Sequence, residues 1–281
     1  MLILVVRGWS RSVQLGGRFT VSLLMSNRNF FRAPLRLLRR LVMLLLILLL
    51  GPVAVLALGD LDMQTHWRDA SLSSSGLAPK PSQLQDPIIL VYGARAYNWR
   101  GAFGIHTWIA TKRRASRYYT VYQVIGWNLY RGRSVVTISR GDPPDFRWFN
   151  AQPELLAEYR GEETEGLIDR IALAATEYPY PHQYRVWPGP NSNTFTAYIA
   201  RRVPELGLDL PPTAIGKDYL PGGAVIGTTP SGSGWQFSLF GLLGVSLARA
   251  EGLEFNLLGL SFGFDADDLA LRLPGVGRVE L

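Results

Sequence analysis

From Leu41 to Leu58 the chain carries no polar side chain, and a helix over this run is apolar on every side. A face of that kind has no place on a soluble surface. The run meets the lower bound of the roughly 17 to 25 residues that cross a bilayer, so it predicts one transmembrane helix. From Asp69 to Pro87 periodicity disappears, and Ser71, Ser73, Ser74, Ser75, Gly76, Pro79 and Pro81 read as a tether. After Pro87 short apolar alternations follow at Ile88 to Tyr92, Phe103 to Thr111, Tyr118 to Trp127 and Ser134 to Ser139, the mark of an antiparallel sheet. Helical spacing then appears near Glu154 to Tyr159. It is stronger from Thr164 to Glu177, where Leu167, Ile168, Ile171 and Ala175 share one face.

A short strand at Tyr184 to Trp187 is expected to feed the turn Pro188-Gly189-Pro190, after which a helix starts at Ser192 and ends near Val203-Pro204. The last fifty or so residues read as a Gly-rich β-meander: Trp235 to Phe240, Val245 to Ala248, Leu253 to Leu258, Leu260 to Phe264 and Leu269 to Leu273. This meander either extends the first sheet or forms a second one. Its apolar positions fit an ordinary β core, or a surface resting on the membrane through Trp235, Phe237, Leu239 and Phe240. The order, strands before helices, predicts an α+β fold. The expected division is a basic cytoplasmic leader over 1–40, an anchor over 41–58, a linker over 59–87, an α+β domain over 88–225 and the β region over 226–281.

Charge sets the orientation. Arg32, Arg36, Arg39 and Arg40 precede the apolar run, and Asp60 and Asp62 follow it. The positive-inside bias places the N-terminus in the cytoplasm and the body outside, a single-pass protein of a bacterial inner membrane facing the periplasm. Cleavage after Val55-Leu56-Ala57 is the competing reading of the same run. Met25-Ser-Asn-Arg resembles a conventional start, so residues 1–24 read as translated upstream sequence, an expectation that N-terminal sequencing checks. The formal charge of +7 comes from eight arginines before residue 60; the rest holds 21 basic and 22 acidic residues. A nearly neutral body lacks the positive footprint of a nucleic-acid binder. With no cysteine, thiol chemistry and disulfides are excluded. His66, His106 and His182 show no metal-ligand spacing, so neither metal nor cofactor is expected. Asp265, Asp267 and Asp268 lack the pattern of a calcium loop and read as a turn.

The candidate chemistry lies at Asn191-Ser192-Asn193-Thr194. A helix start gathers unpaired N–H donors and the positive end of the dipole, so this cluster can cap itself, bind an anion or stabilise an oxyanion. Asn193 and Thr194 are read as oxyanion or cap groups. In Gly104-Ile-His-Thr-Trp, alternation places His106 and Trp108 on one face. If Thr111 pairs with Tyr118, His106 lies opposite Gln123, which becomes the group that orients the ring. Two readings of Trp99, Trp108, Trp127, Trp148 and Trp187 remain open, aromatic core packing or a cleft for a sugar or acyl chain. In the second, Trp108, Trp187 and Asn191 line the cleft.

A strand histidine, a polar residue on the next strand and a small nucleophile at a later helix start follow the order of circularly permuted papain-like domains, including the lecithin retinol acyltransferase-like group. Asn191-Ser-Asn-Thr-Phe195 is similar to their Asn-Cys-Glu-His-Phe at its first and last positions, with Ser192 where the cysteine stands. The body from Ile88 onward also resembles a bacterial membrane-anchored family known as domain of unknown function 3750, through Gly104-Ile-His-Thr-Trp, Pro190-Asn-Ser-Asn-Thr-Phe and Leu273-Pro-Gly-Val-Gly-Arg. The papain-like resemblance implies Ser192 as nucleophile, His106 as base and Gln123 as orienter, in a hydrolase or acyltransferase acting on amide or ester bonds of the envelope. The alternative is a non-catalytic envelope module, or a membrane-surface scaffold, whose partner is a peptide, glycan or lipid.

Overall fold

The computed structural model describes the backbone of residues 10–15, 19–24 and 28–281, with side chains from Pro34 onward. Two compact units are present, residues 1–47 and 48–281. In the first, β1 (Ser10–Leu15) pairs antiparallel with β2 (Phe19–Leu24). The rest of the segment read as upstream sequence lies outside the described residues. Helix α1 (Arg28–Leu58) contains the apolar run, and Pro34–Leu58 is long and apolar enough to cross a membrane.

The body contains two antiparallel sheets. The first has the order β6-β5-β4-β3-β7, built from β3 (Ile88–Arg95), β4 (Ile105–Lys112), β5 (Thr120–Val124), β6 (Val136–Arg140) and β7 (Glu154–Arg160). On one face lie α2 (Thr164–Thr176) and α3 (Ser192–Arg202), which bury Ile168, Ile171, Phe195 and Ile199 against Ile89, Val91 and Ile109. The other face buries Ile88, Leu90, Tyr92, Trp108 and Val121 under Phe146 and Trp148. Both faces of β3 are covered, which explains its unbroken apolar run.

Three expectations are corrected here. Glu154–Arg160 is a strand, not a helix: β7 pairs along β3, and that pairing overrides the helix preference of its Glu, Leu and Ala. Tyr184 to Trp187 is a loop, closed by Arg185 N–H donating to Pro190 O at 2.8 Å. The supposed tether is a strap. Asp145, buried, accepts from Ser74 Oγ (2.8 Å), Leu77 N (2.6 Å) and Ala78 N (3.1 Å), and Tyr119 Oη donates to Pro79 O (2.9 Å).

The C-terminal region forms a separate seven-stranded meander rather than an extension of the first sheet. Its strands are β8 (Ile226–Thr228), β9 (Gly234–Leu239), β10 (Leu243–Ala248), β11 (Gly252–Leu257), β12 (Leu260–Asp265), β13 (Ala270–Leu273) and β14 (Gly277–Glu280). Its inward face is polar. Arg272, fully buried, pairs with Glu254 (2.7 Å) and with both oxygens of Asp209 (2.7 and 2.6 Å), and Lys217 pairs with Glu254 from the other side. Asn256 Nδ2 donates to Asp218 at 2.7 Å. Buried charges hold only when paired and hydrogen-bonded, and each of these is. Asp265 Oδ1 accepts from Asp267 N and Asp268 N, so that acidic segment forms a turn.

Candidate functional site

The start of α3 is a complete capping box. Asn191 accepts on Oδ1 from the N–H groups of Asn193 (3.0 Å) and Thr194 (3.1 Å), while Thr194 Oγ1 accepts from Asn191 N–H (3.1 Å). The same side chains fasten the helix to its surroundings. Asn191 Nδ2 donates to Val186 O and Ile215 O, Asn193 Nδ2 donates to Ile105 O and Ile215 O, and Thr194 Oγ1 donates to Gly216 O. Gly216 has φ of +100°, and a Cβ there would lie 2.5 Å from the Asn191 amide, so only glycine fits under the cap. Asn193 and Thr194 therefore serve the cap, and their N–H groups are already committed.

Ser192 differs from its neighbours. It is 4% exposed, and among the described residues neither its hydroxyl nor its N–H makes a hydrogen bond. It sits at the first helical position, where the dipole and an open N–H favour developing negative charge.

His106 is equally buried. Its Nε2 stands 3.2 Å from Gln123 Oε1, so the ring donates there and keeps its lone pair on Nδ1, which has no partner among the described residues. Burial lowers its pKa to about 4, with the Gln123 hydrogen bond working in the opposite direction, and the ring is neutral at pH 7. The ring stacks on Trp148 at 3.6 Å between centroids and 6° between planes. Trp148, one of the five tryptophans read as core packing or a cleft, is thus stacked on the candidate base, a partnership that the sequence did not indicate.

The strand register differs from expectation. Thr111 pairs with Thr120, not Tyr118, a shift of two residues. A shift of two keeps the same face toward the same side, and Gln123 still reaches His106, diagonally rather than directly opposite.

Alternation along β4 matters for Ser192. Thr107 and Ile109 face α3, where Thr107 Oγ1 donates to Asn193 Oδ1 (2.9 Å) and lies 2.9 Å from Thr196 Oγ1. His106 and Trp108 face the opposite way, toward Trp148 and Phe146. Among the described residues no hydrogen bond joins Ser192 to His106. Gln123 and His106 are brought together; Ser192 reaches the same end of β4 through its neighbour Asn193.

The cleft residues are dispersed. Trp108 has no exposed surface and donates Nε1–H to Pro144 O at 2.7 Å. Trp187 is half exposed and donates to Leu258 O at 2.9 Å. Asn191 is the helix cap. Trp108, Trp127 and Trp148 belong to one aromatic cluster with Phe146, Phe149 and Tyr92.

Residues 86–219 match a family model described as a protein of unknown function, DUF3750, which supports placing this segment in that family. The match covers the first sheet, α2 and α3; the seven-stranded sheet and α1 lie outside it. No curated protein and no solved structure matches the chain significantly.

Proposed function

We propose that the chain is a membrane-anchored protein of a bacterial inner membrane, its body in the periplasm, which hydrolyses or transfers the acyl group of an amide or ester in the envelope. One observation carries this reading: an imidazole fixed through one nitrogen by Gln123 keeps its other nitrogen unspent, as Ser192 keeps its hydroxyl. The order of strand histidine, strand amide and helix-start serine supports a permuted papain-like arrangement.

The chemistry follows from these groups. Ser192 Oγ bonds to the substrate carbonyl carbon as its proton passes to His106 Nδ1. The Ser192 N–H faces the developing oxyanion. That proton then moves to the leaving amine or alcohol, and water or an acceptor alcohol releases the acyl group from Ser192. Serine requires a neutral base, and burial keeps His106 in that form. Because His106 faces away from α3, this step requires the ring and Ser192 to meet past the end of β4 when substrate binds.

A second reading has its own observation. The alternation that turns His106 toward Trp148 while Thr107 faces α3 favours a non-catalytic module, in which the capped helix start is a structural joint and the body binds a peptide, glycan or lipid. Treating the purified full chain with a serine-directed phosphonate separates the two. Labelling lost in Ser192→Ala supports the enzyme; equal labelling of variant and wild type leaves the binding module.

A further inference from the structure

The seven-stranded sheet is inverted relative to a soluble protein. Its buried face carries Gln236, Ser238, Glu254, Asn256 and Arg272. Its exposed face carries the cross-strand row Trp235, Leu247, Leu253, Phe264, Leu271 and Val279. Beside it runs a second row of Ile226, Phe237, Val245, Phe255 and Phe262. Leu239, Leu243 and Leu257 continue the face. Trp235 and Leu247 are 67% and 68% exposed. The pleat gives this face no ionisable residue anywhere. Water is a poor solvent for so continuous an apolar surface, which marks an interaction face.

The two ends of this sheet differ. At one end the turns carry Arg249, Glu251, Asp267 and Asp268. At the other they carry Phe240, Leu258 and Pro274-Gly275-Val276. One turn of the apolar end, Pro274-Gly275-Val276, is seated on α1, while those of Phe240 and Leu258 lie against Pro188 and Trp187. A Cβ on Gly51 would lie 2.0 Å from Pro274 O, and one on Gly275 would lie 2.7 Å from Pro52 N. Arg95 locks the turn from behind by donating to Gly275 O (2.6 Å) and Val276 O (3.3 Å). Gly51 precedes the end of α1 by seven residues, about 10 Å at 1.5 Å per residue. Half a hydrocarbon core is about 15 Å. Just beyond the helix end, Trp67 and Trp99 are half exposed and each lies beneath an arginine, Arg68 and Arg100, the residue types that settle at a headgroup layer.

We infer that the apolar face of this sheet is immersed in the outer leaflet, its Phe240, Leu258 and Val276 turns deepest and its charged turns in water. The occupant of the face is lipid acyl chain. The chemistry is that of a half-inserted β-surface: the five inner strands β9 to β13 are paired on both edges, only the outer edges of β8 and β14 are open, and the polar side is turned inward onto the body. Strands of six residues span about 20 Å, enough to run from the leaflet interior past the headgroups. The body is thereby held against the membrane rather than swinging from α1. This inference rests on α1 as an anchor and not on the serine chemistry.

The chain has no cysteine, so single labels are unambiguous. Leu243→Cys, Phe255→Cys, Leu247→Cys and Arg249→Cys variants of the full chain, each carrying a nitroxide, are reconstituted in phospholipid bilayers. Urea midpoints matching wild type establish that they fold. The ratio of collisions with oxygen to collisions with a water-soluble nickel chelate is expected to rise several-fold from Arg249 to Leu247, and again to Phe255 and Leu243. Equal chelate access at all four overturns the inference. So does dipolar coupling between Phe255→Cys labels that survives dilution with lipid, which assigns the face to a second copy. Extraction of the chain from membranes by carbonate overturns it at the anchor. Loss of phosphonate labelling at Ser192 leaves the collision result unchanged.

Discussion

His106 and Gln123 sit on neighbouring strands with Nε2 and Oε1 3.2 Å apart, and this contact fixes both the ring's orientation and the nitrogen that carries its proton. Under the acyl-transfer reading, Gln123→Leu should slow phosphonate labelling of Ser192 by about 100-fold, the scale of a misplaced general base. Gln123→Glu keeps the acceptor and should recover most of the rate. A purely structural role for Gln123 would lower the melting temperature in Gln123→Leu while leaving the labelling rate of the folded protein intact, and that result would count against the triad.

The burial of His106 also predicts a pH dependence of stability. Unfolded, the ring takes a proton below about 6.5; folded, it resists until about 4. Between those values the unfolded state binds more protons, so stability falls as pH drops through this window and is fully present above it. The contribution is at most roughly 3 kcal/mol. Urea midpoints of wild type and His106→Phe, compared at pH 7.5, 5.5 and 4.5, should show the flatter profile in the variant. Parallel profiles would mean that the ring takes its proton as readily in the folded state as in the unfolded one.

Much of this site could be read from the chain because its geometry is local. Alternation put His106 and Trp108 on one face, and the residue types at 191–194 announced a helix start, as α3 and its capping box bear out. Even the misjudged register kept Gln123 beside His106, since an error of two residues preserves the face. What could not be read was set by distant partners. Residues 154–160 favour a helix on their own, but β3 needed a neighbour on its open edge. Serines and prolines at 71–81 look like a tether until Asp145 collects their donors across the fold. In the C-terminal strands the period of two was plain. Periodicity defines two faces without saying which one is buried, and here the polar face is.

The strap provides a prediction of its own. Burial alone would raise the carboxyl pKa of Asp145, but hydrogen bonds from Ala78 N, Ser74 and Leu77 outweigh it and hold the group below the ordinary range. A lowered folded pKa means stability that is present above about 4 and lost as pH falls further. The strap should therefore stay docked from pH 7 to pH 5. Asp145→Ala should release residues 71–79, seen as thermolysin cleavage near Leu77 about tenfold faster than in wild type, since local opening governs such cleavage. Unchanged cleavage would show that Tyr119 and the apolar contacts hold the strap without the carboxylate.

The polar face of the meander depends on Arg272. Its guanidinium is fully buried and satisfied by Glu254, both oxygens of Asp209 and Leu210 O, while Lys217 also leans on Glu254. Burial disfavours its charge, yet its hydrogen bonds to Asp209 and the nearby Glu254 carboxylate outweigh this and raise its pKa. Replacing one partner of such a cluster leaves the others charged in a place that water cannot reach, at a cost of about 3–5 kcal/mol. Arg272→Met should lower the urea midpoint accordingly. Arg272→Met with Asp209→Leu should recover part of the loss, because the stranded carboxylate is removed with its partner. A loss below about 1 kcal/mol in the single variant would place the network in water and undo the inward-facing assignment of this sheet's polar side.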